Sequence, residues 1–535
     1  MSWRRLAPLV LAGLAVAACD SGPERTDPPP LTRPTVPLRV DTPADDLGST
    51  QGADEAEPDT SDASASSTTE PPAPAGFDYA IEFESLPEFG ERVEGGWLTV
   101  PLDYDDPRAG TIRLWVTRHL ADADDRIGVL FTNNGGPGVA ASSMATQANA
   151  WFEDPLVDRF DIVSWDPRGT GISERAVDCI SGSEYDRYFA ASDITPETPA
   201  ERQALIDESQ AFAEACIRNA GDVLPHIGTN NTARDLDAIR QALGEEQVSY
   251  FGYSYGSELG AVWATLFPDT VRAAVLDGAA HPDAQGLEPT RQQWVGFEQV
   301  FSTFLAECSA DRDCVFNNGG DAEGAVDELL ADLDASPLPS AGDRAAVNQG
   351  VAINGIIQAM YSDRSWPALE RALADATNGD GAGLLALHDG YFRRRADGSY
   401  SNLLEAFQAI TCADDPERLS PDEADERFAE LAGVAPRLFP QTTGSYTCGF
   451  FPPSADPRAE ITGERAGPIM VIGTTGDPST PLTASAAMAD ALEGGFLVRV
   501  EANRHTAYRS GGCVNDLVHD YLIWLEQPDA DTVCR

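Results

Sequence analysis

Short, mostly apolar runs punctuated by Gly, Pro, Asp and Asn mark this chain from residue 97 onward. Residues 97–100 and 111–118 flank the turn Asp105-Asp106-Pro107 and predict an antiparallel pair. Residues 127–132, 160–165, 248–251, 271–276, 468–473 and 497–500 hold few polar positions, the pattern of strands covered on both faces. Segments of helical period lie between them. Over 232–243, Leu236, Ile239 and Leu243 share one face, and Gly244 stops the helix. A second helix-like run, 258–266, follows the 248–251 strand. Apolar strands alternating with helices predict an α/β class with a mostly parallel sheet and flanking helices. Between about Pro282 and Gly467 the alternation stops and the chain becomes helix-rich. This segment sits between two predicted strands, so it is expected to form a helical cap inserted late in the sheet. The expected division is 77–281 for the first part of the core, 282–467 for the insertion and 468–535 for the C-terminal part.

Before residue 77 the pattern is of another kind. Arg4 and Arg5 precede an apolar stretch from Leu6 to Val16, and small residues lead into Cys19. This is a secretory signal over 1–18, too short to span a bilayer as a mature helix. Its end resembles the lipobox of bacterial lipoproteins, which implies cleavage before Cys19 and acylation of that cysteine. Residues 19–76 are rich in Pro, Asp, Ser, Thr and Glu with hardly any large apolar side chain, the composition of a disordered acidic tether. The expected location is extracytoplasmic, with the membrane touched only through the lipid.

Net charge changes the picture mainly by exclusion. Thirty-six cations, all arginine, face 87 carboxylates, for a formal charge of -51. Nucleic acid and anionic surfaces are therefore poor partners. Eight cysteines remain beyond Cys19, and no C-x-x-C pair occurs among them. In an exported chain this suggests disulfides rather than zinc or redox use. Pairing of sequential neighbours is expected because each pair brackets one local segment: Cys179 with Cys216, Cys308 with Cys314, Cys412 with Cys448, and Cys513 with Cys534. The oligomeric state is not legible.

The most informative segment is Gly252-Tyr253-Ser254-Tyr255-Gly256, placed between a predicted strand and a predicted helix. In that setting G-x-S-x-G is a nucleophile elbow: a strained serine lifted clear of the sheet, small residues that let the turn close, and a helix start beneath it. Ser254 is the expected nucleophile. Its acid should follow a later strand, where Asp477 stands after Gly476; Asp277, after the 271–276 run, is the rival and reads better as a turn residue. Of six histidines only His505 lies just after the last predicted strand, so it is the expected base, with His119, His226, His281, His388 and His519 left to surface or packing roles. The oxyanion hole is expected from the N–H groups of Tyr255 and of Gly136 in the Asn134-Gly135-Gly136-Pro137-Gly138 loop. This chemistry implies no metal and no organic cofactor.

Together the Gly-Gly-Pro-Gly loop, Asp166-x-Arg168-Gly169-x-Gly171-x-Ser173, the elbow and Asp477-Pro-Ser-Thr-Pro481 resemble the proline iminopeptidase and tripeptidyl aminopeptidase family, most closely its exported actinobacterial lipoproteins. The resemblance runs from about Gly96 to Arg535. It implies an α/β-hydrolase fold and a serine exopeptidase that releases short N-terminal pieces from peptides. Two positions depart from the family pattern: Asn134 replaces the usual histidine before the Gly-Gly, and Arg504 and Thr506 replace the glycines flanking the catalytic histidine. An aminopeptidase must also hold a free ammonium group. Asp414, Asp415 and Glu405 are candidates for that task, with Glu258 behind them. A carboxylesterase or lipase-like enzyme acting on small esters would use the same triad. A silent binding protein is disfavoured by the complete triad.

Overall fold

A computed structural model of the chain describes residues 77–188, 195–283, 287–340, 344–439, 446–529 and 532–535. The expected signal, tether and Cys19 lie outside them.

Among the described residues ten strands form one sheet: β1 (Glu84–Ser85), β2 (Val93–Pro101), β3 (Thr111–His119), β4 (Gly128–Asn133), β5 (Phe160–Trp165), β6 (Val248–Tyr253), β7 (Val271–Asp277), β8 (Ile469–Thr474), β9 (Gly495–Val500) and β10 (Val533–Cys534). Their order is β1-β2-β3-β5-β4-β6-β7-β8-β9-β10. The first three strands pair antiparallel, and β3 meets β5 antiparallel. From β5 to β10 every pairing is parallel. Every residue of β4, β5, β6 and β8 is buried, which is why these strands read as continuous apolar runs rather than alternating ones.

Helices cover both faces. Thr229–Leu243 and Tyr255–Leu266 pack one side through Leu236, Ile239, Leu259 and Trp263. The other side is covered by Gly512–Trp524 and the short turns between Ser143 and Val157, through Trp151, Phe152, Val518 and Leu522. Gly244 ends its helix in the left-handed region at φ 72°, where its N–H meets the last carbonyls. Between β7 and β8 the described residues contain no sheet strand. Instead Leu287–Ala310, Ala322–Ala335, Gln349–Met360, Trp366–Thr377 and Ala382–Tyr391 close on a core of their own around Phe301, Ile353, Ile356 and Leu369. This is the helical insertion. The helix Leu403–Asp414 instead packs into the main core through Ala406, Ala409 and Ile410.

Four disulfides form, and they are the sequential pairs: Cys179–Cys216, Cys308–Cys314, Cys412–Cys448 and Cys513–Cys534. The last ties the start of helix Gly512–Trp524 to β10 at the sheet edge. No described helix is long and apolar enough to cross a membrane.

Candidate active site

β6 runs straight into helix Tyr255–Leu266, and Ser254 takes the bend between them at φ 54° and ψ -127°. A left-handed φ is costly for a residue with a side chain, so the surroundings must impose it. They do so by excluding anything but glycine nearby. A β-carbon on Gly252 would stand 2.2 Å from the Gly256 carbonyl oxygen, and one on Gly256 would stand 2.7 Å from the Asn133 carbonyl oxygen. The Ser254 N–H donates to the Asp277 carbonyl at 2.9 Å, pinning the bend to the end of β7. The loop after β4 lies against this bend. A β-carbon on Gly135 would stand 2.9 Å from Ser254 Cβ and 3.2 Å from Tyr255 N. The Gly135 N–H donates to Asn133 Oδ1 at 2.9 Å, which leaves the next amide, that of Gly136, as the loop's candidate donor.

His505 follows β9 on a loop fixed from two directions. Asp277 accepts from Ala507 N–H and Tyr508 N–H, each at 2.8 Å, while the His505 N–H donates to the Tyr361 carbonyl of the insertion at 3.0 Å. The rival acid is thus a backbone anchor for the histidine loop, and burial raises its pKa to about 6. Asp477 faces the imidazole. His505 Nδ1 lies 2.9 Å from both of its carboxylate oxygens, with the side chains 2% and 0% exposed. Three donors hold that carboxylate in place: Ser479 N–H at 2.9 Å, Thr480 N–H at 2.8 Å and the Thr480 hydroxyl at 3.0 Å. His505 Nε2 is buried with no hydrogen-bond partner among the described residues, so its bond to Ser254 Oγ is not made here. The ring nonetheless sits by the elbow. His505 Cε1 lies 3.2 Å from the place of a β-carbon on Gly278, the residue after the one that anchors Ser254. Such bonds are often long before substrate arrives.

Residues 128–318 match the model of the α/β hydrolase fold, and residues 440–534 match that of TAP-like proteins. Serine protease Hip1 of Mycobacterium tuberculosis is 34% identical over 460 residues, covering 82% of this chain and 86% of Hip1. This chain belongs to the α/β-hydrolase family. Carboxylesterase B of Mycobacterium tuberculosis is 36% identical over 453 residues, covering 82% of this chain and 85% of that protein. Tripeptidyl aminopeptidase of Streptomyces lividans is 27% identical over 455 residues, covering 83% of each chain. The enzyme class that accompanies these relatives and the elbow is serine hydrolase.

Within this α/β-hydrolase, Thr480 is a site residue that sequence reasoning passed over. Its hydroxyl bonds Asp477 Oδ2 and lies 3.3 Å from His505 Nδ1. The Pro-Ser-Thr-Pro run after Asp477 was its only signal. Thr480→Val keeps the shape and removes the hydroxyl. We expect kcat to fall about 10-fold with KM little changed, the loss of one hydrogen bond to a charged group; steady-state kinetics would check it.

Each of the carboxylates expected to hold an ammonium group has a partner within the fold. Asp414 is buried beneath the elbow helix, where it accepts from Thr229 N–H at 2.7 Å and the Thr229 hydroxyl at 2.6 Å; that hydroxyl also meets Tyr255 Oη at 2.6 Å. Glu258 pairs with Arg458 at 2.9 Å. Glu405 accepts from Cys179 N–H at 2.7 Å and Ile180 N–H at 2.9 Å. Asp415 is half-buried and accepts from Glu417 N–H at 2.8 Å.

Burial, reinforced by Glu258, pushes Asp414 up to about 7, and burial pushes Glu405 up to about 7. The native state therefore holds protons that the unfolded chain has already released near its ordinary carboxyl pKa. Stability from these groups is full below about pH 4 and is lost as pH rises toward 7. Asp414→Asn should flatten that decline. A thermal-unfolding series from pH 4.5 to 8 is the measurement, and an unchanged slope in the variant would contradict the assignment.

Proposed function

We propose that Ser254, His505 and Asp477 form the catalytic triad of a serine exopeptidase that removes short N-terminal pieces from peptides. The observation that carries this reading is the buried His505–Asp477 contact at 2.9 Å, with Nε2 left open beside a serine held at φ 54°. His505 takes the Ser254 proton as Oγ attacks the carbonyl and later delivers it to the departing amine. Asp477 holds the tautomer and balances the imidazolium. The Tyr255 amide, at a helix start, and the Gly136 amide receive the oxyanion. An acyl-enzyme forms and water releases it. The peptidase reading is supported by the likeness to Hip1 and to tripeptidyl aminopeptidase.

The helical insertion acts as the cap that restricts access. Its Tyr361 ring stands edge-on to the His505 ring, with centroids 5.5 Å apart. Four disulfides fit an extracytoplasmic protein. The lipid anchor at Cys19 and the tether over 19–76 are carried by the sequence alone.

A second reading, a carboxylesterase-type hydrolase, is favoured by the 36% identity to Carboxylesterase B. Release of arylamine from free and N-acetylated tripeptide arylamides distinguishes them. Faster cleavage of the free-amine series supports the exopeptidase. Cleavage of short acyl esters with no arylamide turnover would establish the esterase instead.

A further inference from the structure

Two polar side chains at the site have no task in the reaction described above. Arg504 directly precedes His505 and Tyr253 directly precedes Ser254. Arg504 is only 8% exposed, yet its guanidinium makes no hydrogen bond or ion pair among the described residues, and its Nε is fully enclosed. Tyr253 is 2% exposed, with Oη likewise buried and unbonded. Leaving such donors unmade costs about 1–3 kcal/mol each, and more for a charge. A burial this unfavourable points to a ligand rather than to stability.

The position is that of a wall between core and cap. Arg504 forms an isolated antiparallel bridge with Ser362, and Asp363 N–H donates to the Asn503 carbonyl at 3.3 Å. Burial first, and then Arg364, pull the guanidinium below the usual arginine range, whereas Asp277, Asp363 and Tyr253 act the other way. Asp277 forms no ion pair with it, and its two oxygens accept from Ala507 N–H and Tyr508 N–H. Arg504 and Tyr253 thus each stand one residue before a catalytic side chain, close enough for the phenol and Arg364 to act on the guanidinium. In a chain of formal charge -51, an anionic substrate meets a repulsive field, so a local cation is needed to hold it.

We propose that Arg504 and Tyr253 form a subsite for a carboxylate on the leaving-group side of the scissile bond. The side follows from His505, whose Nε2 hands its proton to the departing group, so the residue beside it faces that half of the substrate. The ligand class is an acidic residue, or a free C-terminal carboxylate, just beyond the cut. The proposal rests on the triad reading and names the substrate that triad selects.

The test uses paired esters that differ only in the leaving group, 3-acetoxybenzoate and 3-acetoxybenzamide, so it holds for peptidase and esterase alike. Wild type should favour the carboxylate ester in kcat/KM. Arg504→Gln should reduce the preference about 10–100-fold, Tyr253→Phe less, and Arg504→Lys should retain most of it. Isophthalate should also slow fluorophosphonate labelling of Ser254 in wild type and not in Arg504→Gln. Equal losses on both esters, or isophthalate protection that survives Arg504→Gln, would overturn the subsite. Absence of both turnover and labelling in wild type would sink the triad reading and this one with it.

Discussion

Ser254→Ala is expected to end labelling by a fluorophosphonate probe and to remove nearly all turnover, leaving about 10³–10⁴-fold acceleration over water from the oxyanion donors and binding alone. The size of the loss follows from geometry. Ser254 is 7% exposed and held in a backbone state that only its packed surroundings sustain, with Gly252, Gly256 and Gly135 each too close to neighbouring atoms to carry a side chain. No other described serine occupies a left-handed bend. Alanine fits the same space, so the fold should be intact and the unfolding temperature close to wild type. Gly252→Ala makes the complementary point. It places a carbon 2.2 Å from a backbone oxygen that cannot move without dragging the helix start, so it should impair both activity and stability. Persistent labelling of the Ser254→Ala protein would remove the nucleophile from the mechanism.

How much of this was legible beforehand depends on how local the cause is. The buried strands were visible because covering both faces of a sheet leaves a run of apolar letters; β5 spans Phe160–Trp165, as the run predicted. Boundaries moved where tertiary contacts extend an element. The helix before the elbow begins at Thr229, a turn before its apolar stripe, because the Thr229 N–H is bonded by Asp414 from a segment far along the chain. The two-residue strands β1 and β10 were not legible at all, since strands so short carry no pattern; β10 exists beside β9 where the Cys513–Cys534 bridge brings it. At the site, the elbow and Asp477 follow strands and could be read by position. The ammonium candidates could not. Asp414 and Glu405 lie on one helix in an acidic chain, and only the folded structure reveals that each accepts from backbone N–H groups. Thr480 was missed for the same reason, because its significance lies in what it touches; Arg504 was noticed only as a departure from the family pattern, without its lack of a partner.

Arg168→Met should be among the most destabilising single changes in the chain, by about 3–5 kcal/mol. Arg168 and Asp235 are both 0% exposed, and they form a two-pronged ion pair at 2.7 and 2.6 Å. The guanidinium also donates to the carbonyls of Leu102 and His226 at 2.9 and 2.8 Å, and the Tyr104 hydroxyl donates to Asp235 at 2.8 Å. Methionine fills much of the volume but strands Asp235, whose carboxyl is already pushed up by burial, without its counter-charge. The damage should reach the site. Arg168 joins the loop after β5 to helix Thr229–Leu243. In that loop Asp166 accepts from Ser142 N–H, beyond the Gly135-Gly136 turn, and the Gly169 carbonyl accepts from Asn402 at the start of helix Leu403–Asp414. Chemical denaturation of Arg168→Met beside Arg168→Met/Asp235→Leu is the decisive comparison. If the cost comes from the uncompensated charge, the double variant should regain much of what the single one loses, because an apolar pair leaves no buried ion behind. A double variant no more stable than the single one would place the cost in the lost carbonyl bonds instead, making Arg168 a cross-brace between β2, the His226 turn and the loop rather than half of a charge pair.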